Sequence, residues 1–170
     1  LIESGRNEAA EEYSSKLNEM IIQTQSDVKS GNPVTDIVIG EYKDKCIKTG
    51  IDFTYDFHYP EKGVVDAFDM SIVLFNALQN ACEAAQKTPH GYVSLKAFRK
   101  KNAYIIEITN SCAGRITVEP GKLPATDKDN AQAHGYGLKN IKRIAEKYYG
   151  GINIEPADDT FKLNIMMMLE

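Results

Sequence analysis

Two segments about 50 residues apart carry the residue types best suited to chemistry. The first is LFNALQNACEAA, with Asn76 and Asn80, and the second is HGYGLKNIKRIAEKYYG, with Gly135 and Gly137. Residues four apart on a helix share one face, so the two asparagine amides should project together. The glycine pair begins a second amphipathic helical pattern. We expect the first segment to hold a metal ion and the second to receive phosphate groups.

The asparagine segment interrupts an otherwise apolar face with two amides, and buried amides need hydrogen-bonding partners. One interpretation is a satisfied network in the core or a helix cap. The other is coordination of Mg²⁺ by an amide oxygen, because this hard cation takes oxygen ligands and relies on waters and substrate phosphates for the rest. The residues alone leave both interpretations open.

The glycine turn runs from His134 to Leu138 and leads directly into a predicted helix. The first backbone N–H groups of a helix are free, and its dipole favours anions at that end. Glycines allow the backbone to approach a phosphate closely. A single Gly-X-Gly is common in proteins, and this one gains its meaning from the asparagine segment that precedes it.

The elements that must position these residues follow from periodicity and turn residues. We predict helices at 34–48 and 68–86, a strand at 51–59, strands at 92–98 and 104–109, a lid at about 111–134, a helix begun by the glycine turn and ended by Gly150, and last strands at 152–155 and 160–169. Runs of strands with helices on one side indicate the α+β class, as a two-layer α/β sandwich.

A further amphipathic helix is predicted from about residue 7 to residue 29, with apolar residues at steps of three and four. It is either packed on its own domain or a pairing helix of a dimer. Gly31 and Pro33 interrupt the pattern, so we place a domain boundary there, between 1–30 and 31–170. Because the sequence begins without Met inside a helical pattern, we expect it to be a piece of a longer chain.

Composition excludes several classes of function. The net charge is -4, and no Lys/Arg run is interleaved with aromatic residues, so nucleic-acid binding is not expected. The three cysteines share no metal-site spacing and are odd in number, which argues against a disulfide framework and favours a reducing compartment. No stretch reaches the roughly 18 apolar residues of a membrane span. We therefore expect a soluble segment.

The two segments together resemble the N box and the second glycine box of the ATP-binding domain of sensor histidine kinases. This GHKL, or HATPase_c, group also includes the gyrase B subunit, a class of heat-shock chaperones and the MutL proteins. The lid and helix sequence LPATDKDNAQAHGYGLKNI is most similar to the quorum- and peptide-sensing kinases of the AgrC and VirS type. The resemblance implies the Bergerat fold over residues 32–170, preceded by a helix of the dimerisation hairpin.

The resemblance also implies roles for matching residues. Asn80 would be the Mg²⁺ ligand, and Asn76 would face the phosphates or the metal, so these two are the expected catalytic residues. The residues expected to contact ATP are Asn76, Asn80, Asn110, Thr126, Lys128, His134, Gly135, Tyr136, Gly137 and Leu138. Among these, Thr126 and Lys128 would close over the phosphates from the lid.

The first glycine box departs from the family pattern. In EITNSCAG, Asn110 replaces the Asp that reads adenine, and Cys112 replaces a Gly. A neutral amide accepts more weakly than a carboxylate. Losing the charge costs about 1 kcal/mol, roughly five-fold in affinity, so we predict ATP binding in the high-micromolar to millimolar range.

The reaction expected from the resemblance is phosphoryl transfer to a histidine. Hydrolytic relatives carry a Glu at the position of Asn76, and an amide cannot act as a general base. The family's acceptor lies on a helix before an acidic residue, which His58, His90 and His134 do not match. The acceptor would lie outside this fragment, so the fragment should bind ATP without phosphorylating itself.

Further expectations concern the parent protein. The resemblance implies a homodimer whose cytoplasmic kinase domain belongs to a membrane-bound receptor, a response regulator as partner, and a two-component system. One alternative is a non-catalytic dimeric scaffold with a degenerate nucleotide site, suggested by Asn110 and Cys112. Another is a serine kinase of the anti-sigma type, which would leave acid-stable phosphoserine on its partner.

Overall fold

The computed structural model describes residues 11, 13–16, 18–19, 27–61, 64–114 and 136–169. Within these ranges the bounded elements are three helices and five strands. In chain order they are α1 (Pro33–Lys48), β1 (Asp52–Asp56), α2 (Ala67–Ala85), β2 (Tyr92–Lys100), β3 (Ala103–Ser111), α3 (Gly137–Lys147), β4 (Gly151–Pro156) and β5 (Thr160–Met168).

The five strands form one mixed sheet in the order β1-β2-β3-β5-β4. β1 and β2 are parallel, and α2 is the crossover that joins them. The other neighbouring strands are antiparallel. This connection sets the asparagine-bearing helix against the sheet.

The core lies between the helices and one face of the sheet. Alternate residues of a strand point to the same face, and in β3 these are the buried Ile106 and Ile108. Leu163 and Ile165 of β5 pair with them in register and are buried too. Leu78 of α2 is fully buried in the same cluster. The α+β sandwich predicted from the sequence is confirmed.

Side-chain caps fix the starts of the first two helices. The Asn32 side chain accepts hydrogen bonds from the amides of Val34 and Thr35, and Pro33 occupies the first helical turn. The side chain of Asp66 caps α2 in the same way. Such caps satisfy amides that have no partner inside the helix, so both helices begin one residue before their predicted starts.

The strand predicted at 51–59 is shorter than expected, since β1 ends at Asp56. The chain then leaves the sheet, and its backbone finds other partners. The Tyr59 amide donates to the Ser30 carbonyl, and the Tyr104 hydroxyl donates to the His58 carbonyl. Phe57 remains buried beyond the end of the strand, which explains why the apolar pattern extended too far.

The predicted N-terminal helix lies largely outside the described residues. Residues 13–16 and 18–19 are helical, and the Tyr13 ring meets the Phe75 ring edge-on with centroids 5.3 Å apart. Residues 27–29 are not helical, so the predicted end at 29 is wrong. Val28 is buried in the core there instead of continuing a helical stripe. None of the described helices has the length and apolarity needed to cross a bilayer.

Candidate functional site

The asparagines lie on one face of α2 and differ in their bonding. Asn76 is 8% exposed, and its Nδ2 donates to the Ile72 carbonyl at 2.8 Å. That bond fixes the amide, so Oδ1 is the atom left to face outward. Asn80 is half-buried, and among the described residues its side chain makes no hydrogen bond. Its amide is therefore available to a ligand.

The start of α3 supplies free backbone donors. Gly137 is the first helical residue, and Tyr136, at the N-cap, makes no side-chain capping bond. The Asn140 amide donates to the Tyr136 carbonyl as the first bond of the helix. The amides of residues 137–139 precede that bond and point out of the helix end, where an anion is favoured.

The two segments meet at Gly137. A Cβ built on this glycine would lie 3.3 Å from Asn76 Oδ1 and 3.3 Å from Asn80 Nδ2. The helix end therefore faces both amides at contact distance, and only a residue without a side chain fits without displacing them. The start of α3 and the two asparagine amides are thus brought to one place.

Asn110 lies at the end of β3 and is 2% exposed. It follows Ile106 and Ile108 on the sheet face that carries the helices, so it lies on the same side as α2. Its Nδ2 donates to the Ser111 carbonyl at 2.9 Å, and not to α2 or α3. Burial raises the pKa of the neighbouring Cys112 thiol, as does the nearby Asp159, so this cysteine is not an activated nucleophile.

Comparison with known proteins decides the family. The model of the GHKL domain matches residues 65–168, more than half of the chain. The chain belongs to the GHKL domain family. No curated protein sequence matches it. Structural similarity is broader and shows that this GHKL domain shares its fold with histidine kinase catalytic domains.

Three solved structures illustrate that similarity. The nucleotide-free catalytic domain of the histidine kinase ThkA is 22% identical, with a TM-score of 0.58 over 78% of this chain and 90% of that one. The histidine kinase AdeS of Acinetobacter baumannii is 14% identical, with a TM-score of 0.59 over 94% and 76%. A histidine kinase of Burkholderia phymatum is 17% identical, with a TM-score of 0.59 over 96% and 78%.

Some of the remaining predicted site residues of the GHKL domain lie within the described residues, and the others lie outside them. Leu138 packs against the core, and Tyr136 is 59% exposed, with Lys139 Nζ 5.8 Å from the centroid of its ring. Those that lie outside the described residues are Thr126, Lys128, His134 and Gly135.

The donor set suits a magnesium–phosphate complex better than a metal held by protein alone. Among the residues described, no three His, Cys, Asp or Glu side chains form a metal-binding group. Glu83 accepts from the Gln79 amide at 3.0 Å and does not orient Asn80. Mg²⁺ would therefore meet neutral amide oxygens here, and a bound phosphate would have to supply the negative charge.

One contact that helps to position the site helices was missed by sequence reasoning. Asp69, in the first turn of α2, accepts from Lys147 Nζ and from the Tyr148 hydroxyl, each at 2.6 Å. The Asp66 amide donates to the same hydroxyl at 3.0 Å. Asp69 raises the pKa of Lys147, and burial together with Asp69 raises that of Tyr148. These bonds fasten the end of α3 to the start of α2, the helix that carries the asparagines.

Proposed function

We propose that this GHKL domain is the ATP-binding catalytic domain of a two-component sensor histidine kinase, which binds Mg-ATP and transfers the γ-phosphate to a histidine outside the fragment. The observation that carries the proposal is the position of Gly137, where a Cβ would lie only 3.3 Å from Asn76 Oδ1 and from Asn80 Nδ2. This position sets a helix end that favours anions beside two side-chain amides whose oxygens are suited to Mg²⁺.

Each residue has a specific task in this proposal. The Asn80 amide oxygen is the Mg²⁺ ligand, which agrees with its lack of a hydrogen bond among the described residues. Asn76, held by its bond to the Ile72 carbonyl, presents its oxygen to the phosphates or the metal. The amides after Tyr136 bind the triphosphate. When bound, Mg²⁺ neutralises charge on the phosphate oxygens.

Transfer is favoured over hydrolysis by the chemistry of Asn76. Its Nδ2 is engaged with the backbone, and an amide has no proton-accepting pKa near neutrality, so it cannot activate water. His58 and His90 lie in non-helical segments, unlike the helical acceptor of the family. These observations support an acceptor outside the fragment, on a dimerisation helix of the same or the partner chain.

The finer assignment rests on sequence. The resemblance of the lid and second glycine box supports the AgrC and VirS type, and hence quorum or peptide sensing. A homodimeric, membrane-bound parent and a response regulator as phosphate recipient belong to the same proposal. Thr126, Lys128, His134 and Gly135 are proposed to contact ATP on that resemblance alone.

The decisive experiment is a calorimetric titration with a non-hydrolysable ATP analogue, with and without Mg²⁺, on the wild type and on Asn80→Ala. We expect Mg²⁺-dependent binding that Asn80→Ala abolishes. Gln79→Ala is the matched control, because Gln79 precedes Asn80 and bonds to Glu83 instead. Equal loss in both variants, or binding by Asn80→Ala like that of the wild type, would refute the role of Asn80.

Transfer itself needs a second assay. The fragment, labelled ATP and a separate hairpin carrying the acceptor histidine should yield an acid-labile phosphohistidine on the hairpin. Acid-stable phosphoserine on a partner would instead indicate the anti-sigma type of serine kinase.

The alternative of a non-catalytic scaffold is favoured by one observation, the neutral and buried Asn110 whose amide is bonded to Ser111. A scaffold would bind nucleotide without any transfer to the hairpin, or would bind none at millimolar concentration.

A further inference from the structure

Two cysteines of different helices meet in the core. Cys46 lies in the last turn of α1 and Cys82 in the second half of α2, and their Sγ atoms are 2.8 Å apart. Both thiols are free and buried, at 0% and 1% exposure. A disulfide has an S–S distance of about 2.05 Å, so the sulfurs are less than about 1 Å from bonding distance.

We propose that Cys46 and Cys82 form a reversible intramolecular disulfide when the domain meets a hydroperoxide oxidant. This makes the pair a redox modification site that joins α1 to the helix carrying Asn76 and Asn80. The proposal stands on the position of the two sulfurs and does not depend on nucleotide binding.

The environment distinguishes the two thiols. The hydrogen bond with Cys82 lowers the pKa of Cys46, and the positive charge of Lys45 acts in the same direction, whereas burial opposes both. A thiolate is the reactive form of cysteine. Cys46 also lies in the last turn of α1, next to exposed residues, and its position together with this charge environment favours it as the attacking sulfur.

Access to the buried pair is through the end of α1. The residues that follow Cys46, from Ile47 to Gly50, are all exposed, and Ile47 is 60% exposed. The last turn of a helix opens at low free-energy cost compared with the core. Opening of this turn exposes Cys46 while Cys82 stays in place on α2.

The reaction balances with one peroxide. The Cys46 thiolate attacks a peroxide oxygen, the O–O bond breaks, and a sulfenic acid forms as hydroxide leaves. The Cys82 sulfur then attacks the Cys46 sulfur, the S–OH bond breaks, and the Cys82 proton leaves with the hydroxyl as water. Overall two thiols and one hydrogen peroxide give one disulfide and two waters. A dithiol reductant reverses the product by exchange.

The test is hydrogen peroxide treatment of the 170-residue protein, followed by alkylation under denaturing conditions, tryptic digestion and mass spectrometry. We expect the free thiols to fall from three to one, with the tripeptide 46–48 joined to the peptide 63–87. Dithiothreitol should restore all three. Because the bond closes a loop of 36 residues, the melting temperature should rise by roughly 5–15 °C.

Three cysteine variants test the linkage, and the thiol count of the oxidised wild type tests it even if a core variant folds poorly. Cys112→Ser is the matched control and should retain the linkage, whereas Cys46→Ala and Cys82→Ala should abolish it. Three titratable thiols after oxidation of the wild type would overturn the proposal. So would consumption of Cys112 before the other two, or a linkage found only between separate chains on non-reducing gels.

Discussion

Adding one methyl group at Gly137 should weaken nucleotide binding and leave the domain folded. In Gly137→Ala the new Cβ would lie 3.3 Å from Asn76 Oδ1 and from Asn80 Nδ2, so both amides must shift by a few tenths of an ångström. The two amides are anchored differently. Asn76 donates a hydrogen bond to the Ile72 carbonyl, whereas the Asn80 side chain makes no hydrogen bond among the described residues. Asn80 should therefore yield first, and it is the proposed metal ligand.

Gly137→Ala should change the free energy of nucleotide binding more than the free energy of unfolding. Alanine favours a helix over glycine by up to about 1 kcal/mol, which offsets the local crowding, so the free energy of unfolding should change by less than about 1 kcal/mol. The added methyl group would displace the proposed metal ligand and reduce the space for a phosphate at the start of α3. Together these effects should cost at least about 1.4 kcal/mol of binding free energy, roughly ten-fold in Kd.

The assay is calorimetry with the Mg²⁺ complex of the ATP analogue at millimolar concentration, alongside urea unfolding. Gly151→Ala is the control, because a Cβ there meets nothing within 4 Å. A folded Gly137→Ala whose Kd stays within about two-fold of the wild type would refute the reasoning. Equal weakening by Gly151→Ala would refute it too.

Three other predictions follow from single contacts. Asn110→Asp should tighten nucleotide binding about five-fold by restoring a charged acceptor; unchanged or weaker calorimetric affinity would contradict this. Gly150→Ala should prevent folding as judged by circular dichroism, because its Cβ would lie 1.8 Å from the Met166 carbonyl oxygen; a native melting curve would contradict it. Asp69→Asn should destabilise the domain modestly at neutral pH, by less than about 1 kcal/mol, since Lys147 is largely exposed. Asp69 raises the pKa of Lys147 in the folded state, so this stabilisation is present below the unfolded pKa of about 10.4 and is lost as pH rises through the folded value. The wild type and Asp69→Asn should therefore converge in urea midpoint at alkaline pH, and a constant difference would contradict the assignment.

Local patterns were enough to predict most of the fold. Alternating apolar residues located β3 and β5, and the four-residue spacing of Asn76 and Asn80 located their common face. These patterns extend over only a few residues. They predict the structure well because the apolar residues that form them are the ones that pack in the core. Val28 shows the limit, because its position in a helical pattern suggested a stripe, whereas the chain buries it in the core from a non-helical segment.

Contacts between distant residues could not be predicted in the same way. Asp69 and Tyr148 are 79 residues apart, and Cys46 and Cys82 are 36 apart. Neither pair has a spacing motif, since their meeting depends on the path of the chain through the sheet. The approach of Gly137 to the asparagines was expected only because two motifs of a known family occur together.

The strand order has a consequence for synthesis on the ribosome. β5, the last of the described strands in chain order, is inserted between β3 and β4, and β4 pairs with no described strand other than β5. Until residue 168 has emerged, β3 offers an open edge and β4 has no partner in the sheet. Newly made chains therefore expose the unpaired edge of β3 to their neighbours from the time Ser111 emerges until β5 follows. A pause late in translation should leave this domain more dependent on chaperones than one whose last strand lies at an edge.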